Sequence, residues 1–76
     1  MTKPQATAYN EVRKILAYYY RGHITQKEML KGMFKATAKH RYNDAWLDAV
    51  DIALHSKSVN DFDSKLVIYF TVINNA

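Results

Sequence analysis

Three histidines, His23, His40 and His55, are the side chains of this chain best suited to move a proton near neutral pH. Seven carboxylates and six tyrosines could partner them in a His–Asp or His–Tyr acid–base pair. The absence of cysteine excludes a thiolate nucleophile, a disulfide framework and a thiolate metal site. No serine stands in a nucleophile elbow, no glycine-rich stretch can cradle phosphate, and no His-x-x-x-His pair occurs. Acid–base catalysis needs geometry rather than a local motif, so a site assembled in space is the catalytic route left open. Each histidine also falls at an expected helix end, where positive charge is favourable. The expectation is therefore a chain that is not an enzyme, with no catalytic residues, no cofactor and no metal.

The charged side chains carry a stronger pattern. Lys27, Lys31, Lys35 and Lys39 step by four residues. On a helix each step drifts by about 40°, so the four span about 120° of arc over about 18 Å. Their mean direction lies about 150° from the apolar face that runs from Met29 to Phe34. They should be exposed together, with Arg41 just beyond. Such a row could follow the phosphates of a nucleic-acid strand or dock on an acidic protein face. The plain alternative is a solvated helix face that took lysine as its polar residue. Only Glu28 interrupts the row, which is more one-sided than a salt-bridged surface.

Asp44, Asp48, Asp51 and His55 fall within about 60° of one another on the next expected helix. Such a line can touch a divalent ion, but a line is not a cage. It also opposes a helix-turn-helix reading across residues 39–43, since the reading helix would turn carboxylates toward phosphates. A solvated acidic face, or an electrostatic match to the basic helix, is the simpler reading.

Tyr18, Tyr19 and Tyr20 are consecutive and fan across about 200°. Tyr19 lies on the apolar face, Tyr20 and Tyr9 at its edge near Arg13, and Tyr18 beside Glu11 and Lys14. Tyrosine suits binding surfaces and can stack on unpaired bases. Edge tyrosines also simply roof a core. The candidate partner- or anion-binding set is thus Tyr18, Tyr20, Arg21, Lys27, Lys31, Lys35, Lys39 and Arg41.

The elements that must position these residues are helices. Residues of about 4–21 place Ala8, Val12, Ile15, Leu16 and Tyr19 on one face, with Pro4 in the first turn and Gly22 as the stop. Thr25 and Glu28 form a capping box, with Ile24 and Met29 at the staple positions. That opens a helix over about 26–39, with Met29, Leu30, Met33, Phe34 and Thr37 facing inward. Asn43 is the expected N-cap of a helix over about 44–56, with Tyr42 and Leu47 as its staple. Its expected apolar face is Trp46, Leu47, Val50, Ala53 and Leu54. Ser58, Asn60 or Asp61 could cap a last helix over about 60–73, with Phe62, Leu66, Tyr69 and Ile73 on one stripe. The run 66–73 is rich in β-formers, but no other stretch reads as a partner strand. Being apolar nearly all round, this helix should be either central or part of an oligomer interface, which suggests a homodimer through 62–73.

The 76 residues bound the answer to one all-α domain, a compact bundle of three to four short helices. The net charge of +4 is unevenly spread. Residues 1–42 hold nine Lys or Arg against two Glu, a net of +7; residues 43–76 hold two Lys against five Asp, a net of −3. No signal-peptide core and no membrane-length apolar run is present, and the lack of cysteine fits a cytoplasmic setting with no membrane insertion. The brevity and absent site resemble small accessory proteins of phages and mobile elements, a likeness of size and composition that covers no particular residue. The function expected is a protein-interaction module, an inhibitor or regulator docking its basic helix on an acidic surface of a larger protein. The alternative is a nucleic-acid-binding regulator that contacts phosphates through Lys27–Lys39. The five Asp and the lack of any nucleic-acid motif favour the first.

Overall fold

Each helix starts where a side chain can take up N–H groups that have no intrahelical acceptor. In the computed structural model, which describes residues 2–74, α1 spans Lys3–Tyr20, α2 Gln26–Lys39, α3 Asp44–Leu54 and α4 Val59–Asn74. The protein is all-α, and no strand occurs among the described residues. The Thr25 box forms as the sequence predicts: the Glu28 N–H donates to Thr25 Oγ1 at 3.2 Å and the Thr25 N–H to Glu28 Oε1 at 3.1 Å. Thr2 and Gln5 repeat the device and start α1 one residue ahead of Pro4. Asn43 Oδ1 accepts from the Ala45 N–H at 3.0 Å. Of the three residues that could cap α4, Ser58 does so, accepting from the Asp61 N–H at 3.1 Å. The run 66–73 is helix.

Gly22 stops α1 in the left-handed region at φ 77°. Its N–H donates to the Tyr19 carbonyl at 3.1 Å, and the His23 N–H to the Tyr18 carbonyl at 2.9 Å. These paired bonds satisfy the last carbonyls of the helix.

α1 is the central element and packs on all three others; α4 lies to one side, against α1 and α3. Its apolar surface therefore does not mark it as the central helix. Ala8, Val12 and Leu16 of α1 meet Met29 and Met33 of α2, Trp46 of α3 and Phe62 of α4. Ala45, Ala49 and Ala53 keep the α3 face low, which lets α1 approach around the fully buried Trp46. Removing an indole from water contributes roughly 5 kcal/mol gross.

Two expected faces are narrower than the sequence suggests. On α2, Met29 and Met33 are buried, but Leu30 is 39% and Phe34 75% exposed. On α3, Trp46 and Ala53 are buried and Val50 half-buried, but Leu47 is 55% and Leu54 61% exposed. Both helices lean on α1 and touch each other only briefly, so the outer edge of each apolar arc finds nothing to pack on. The Tyr42–Leu47 staple does not close either: Tyr42 has φ 68° and is 88% exposed.

Candidate docking surface

The α1-facing edge of α2 is knitted by polar groups. Glu11 accepts from Lys39 Nζ at 3.0 Å and pairs through its other oxygen with His40 Nε2. The hydrogen bond from Lys39, then that from His40, holds the Glu11 carboxyl below its ordinary range. The His40 ring stacks on Trp46 with centroids 5.1 Å apart and planes 14° off parallel. Trp46 Nε1–H donates to Thr37 Oγ1 at 2.9 Å, and that hydroxyl donates to the Met33 carbonyl at 2.7 Å. Three helices are thus tied through Glu11, His40, Trp46 and Thr37. Glu11 and His40 are an acid–base pair that sequence alone could not assemble, because they stand 29 residues apart. Both Glu11 oxygens are engaged and the imidazole is stacked, an arrangement that locks helices together. Thr37 faces inward only through its hydroxyl.

Beside this lock, Lys14, Ile15, Gly32, Lys35 and Ala36 line an open cleft of about 400 Å³ between α1 and α2. Tyr18 stands on the same edge of α1, exposed, its ring 6.0 Å from that of His23. Lys27, Lys31, Lys35 and Lys39 are all exposed, as their spacing requires. Lys39 is engaged by Glu11, whereas Lys27, Lys31 and Lys35 form no salt bridge among the described residues. Arg41 lies beyond them, its guanidinium carbon 5.4 Å from the centre of the Tyr42 ring.

Tyr20 and Arg21 belong elsewhere. With Arg13 and Ser58 they line a separate hollow of about 270 Å³ between α1 and α4. Tyr20 Oη donates to the Ser56 carbonyl at 2.9 Å, and partial burial raises the pKa of its phenol. Tyr20 therefore ties α1 to the α3–α4 turn. Arg13 and Asp63 close the same side with a two-pronged ion pair, the shortest contact being 3.1 Å.

The acidic stripe is divided as well. Asp48 turns to α4 and accepts from Tyr69, and this bond is the main cause that raises the Tyr69 phenol. Asp51 pairs loosely with His55 at 3.8 Å. Among the described residues no group of three or more His, Asp or Glu is placed to hold a metal ion. Buried next to Tyr69, the Tyr9 hydroxyl has no partner in hydrogen-bonding geometry among the described residues, and burial raises its pKa.

The feature that sequence reasoning missed is a trough between α2 and α3. Leu30, Met33, Phe34 and Thr37 line one bank, Val50 and Leu54 the other, around about 170 Å³. Leu47 extends the α3 bank, since residues 47, 50 and 54 share one helical stripe. Lys27 and Lys31 flank Phe34 on the outer edge of α2; Asp44 and Asp51 flank Leu47 and Leu54 on that of α3. The signal was in the sequence as apolar arcs broader than a short helix buries, but periodicity alone assigns such residues to the core. No protein-family model, no curated protein and no solved structure matches this chain.

Proposed function

We propose that this chain is a small protein-interaction module that docks the basic face of α2 on an acidic surface of a larger protein. It acts there as an inhibitor or regulator, in the manner of phage- or mobile-element-type accessory proteins. One observation carries the reading: Lys27, Lys31 and Lys35 are exposed along one side of α2 and form no salt bridge among the described residues, whereas Lys39 at the end of the same row is held by Glu11. A surface that served only solubility would gain from pairing those charges. Reversing two of them, Lys31→Glu with Lys35→Glu, is expected to weaken capture of the partner by at least tenfold while the fold persists. Capture of every partner as before would remove this face.

A second reading, nucleic-acid binding, is favoured by the exposed Arg41–Tyr42 pair at the end of the lysine row, a cation beside a ring that can stack. It requires affinity that falls steeply with salt. A low-salt mobility-shift titration showing no complex with DNA or RNA would end it. Self-association through α4 is supported by the exposed Val67, Ile68 and Val72. A concentration-independent monomer mass by light scattering would exclude it. No helix among the described residues is long and apolar enough to cross a membrane.

A further inference from the structure

We infer that the trough between α2 and α3 receives one amphipathic helix of a partner protein, about two to three turns long, with an acidic edge along α2 and a basic edge along α3. The inference rests on the reading of the chain as a protein-interaction module and names what the partner presents.

Size and spacing come first. Leu30, Phe34 and Leu54 are substantially exposed and line the facing banks of two neighbouring helices, and the exposed Leu47 continues the α3 stripe by its spacing from Val50 and Leu54. Exposed apolar side chains gathered along a groove mark binding sites far more often than scattered ones do. Leu47 and Leu54 are seven residues apart, about 10 Å along the axis. That is the rise between positions i and i+7 of a helix laid beside them. Anchors at i, i+3 or i+4, and i+7 would fill the space between the banks. Met33 at the base of the trough is unbranched and can adapt to different anchors.

Charge then selects the occupant. The banks carry opposite signs, Lys27 and Lys31 on one edge, Asp44 and Asp51 on the other. A helix with carboxylates on one flank and cations on the other would meet both, in one orientation only. An extended segment is a poorer fit, because an all-helical fold offers no strand edge for it to pair with. Within this chain, the exposed stripe of α4 is largely Asn60, Ser64, Val67, Ile68, Thr71 and Val72, which lacks the two charged edges.

The test uses the intact chain and a displayed library of helical peptides about 16 residues long, ~24 Å as helix. Leu or Ile is fixed at i, i+4 and i+7, and the remaining positions are random. Selection at physiological salt is expected to enrich peptides with Asp or Glu on one edge and Lys or Arg on the other. The best peptide should shift the amide resonances of Leu30, Phe34, Val50 and Leu54. Its affinity should fall at least tenfold on the double variant Phe34→Ser, Leu54→Ser, whose circular dichroism should match the parent. No enrichment, resonance shifts confined to other surfaces, or equal affinity for the double variant would overturn the inference. So would a concentration-dependent dimer of the parent that the double variant abolishes, since the occupant would then be a second copy. The two readings fail separately. A peptide lost on Phe34→Ser, Leu54→Ser and weakened by Lys31→Glu, beside partner capture indifferent to Lys35→Glu on the α1 side of α2, sustains the trough and removes the wider basic face. The reverse pattern removes the trough alone.

Discussion

Toward α1, the C-terminal end of α2 is closed by polar groups, beyond the open cleft at Ile15 and Gly32: Lys39 and His40 reach Glu11, and His40 stacks on the buried Trp46. Toward α3, the same helix is open and apolar, with Phe34 three-quarters exposed. The expected distribution, apolar inside and polar outside, is inverted between two edges of one helix. The inversion follows from packing. At the end of α2 the His40 ring is covered by Trp46 and α1, so the polar groups that meet there must find partners. Where α2 and α3 diverge, apolar side chains stay wet. Such exposure costs little stability relative to the unfolded chain, but it leaves a surface that gains free energy when covered.

The largest effect should separate the two edges outright. Trp46→Ala would empty the space between α1 and α3 and cost about 3–5 kcal/mol. A chain of this length has only about 4–11 kcal/mol in total, so the variant should be largely unfolded or melt at a far lower temperature. Phe34→Ser and Leu54→Ser on the open edge should each change stability by no more than about 0.5 kcal/mol. Thermal unfolding by circular dichroism reads all three. A loss above about 2 kcal/mol for Phe34→Ser would place that ring in the core and dissolve the contrast.

The closed edge should carry a pH signature of intermediate size. Lys39 and His40 hold the folded-state pKa of Glu11 below its unfolded value. A depressed carboxyl contributes stability above the unfolded pKa and loses it as pH falls through the folded one. Glu11→Gln should therefore cost roughly 1 kcal/mol at pH 7, a modest value because the ion pair is partly solvated. The gap between parent and variant should close as pH falls below about 4.5. A gap that widened in acid would mean that Glu11 does not act as a carboxylate in this lock.

Much of the fold was legible because its signals are local. The Thr25–Glu28 box, the Asn43 cap and the Gly22 stop each depend on residues within a few positions, and each forms as read. The start at Thr2 was missed although Thr2 and Gln5 carry a capping-box pattern of their own. Exposure of the lysine row was also legible, since four-residue spacing fixes its face. What needs long-range contact was not. Glu11–His40, Arg13–Asp63 and Tyr20–Ser56 join residues 29, 50 and 36 positions apart. Tyr20 and Arg21 follow Tyr18 in sequence yet serve the α1–α4 side, so the expected binding set divides between two surfaces. Leu30, Phe34, Leu47 and Leu54 have the period of a core, and only the divergence of α2 from α3 leaves them outside it.

The smallest effect concerns the turn that joins the open edges. Tyr42 and Gly22 are the two residues in the left-handed region among those described. Gly22 occupies it without strain, and a Cβ there would meet nothing within 4 Å. Tyr42 holds a similar φ with a bulky side chain, at a cost of about 1–2 kcal/mol. Its ring is almost fully solvated, and the Arg41 guanidinium beside it returns about 0.5 kcal/mol at an exposed site. Tyr42→Gly relieves the strain, forfeits that contact and gives the unfolded chain more freedom, which opposes the gain. The net expectation is a rise of about 0.5 kcal/mol, or roughly 2–4 °C in a chain of this length. Tyr42→Ala keeps the Cβ in the left-handed region and should not gain. If Tyr42→Gly lowered the melting temperature instead, the ring would be holding the α2–α3 turn. The open edge would then have a packed end, and the trough a fixed boundary at Tyr42.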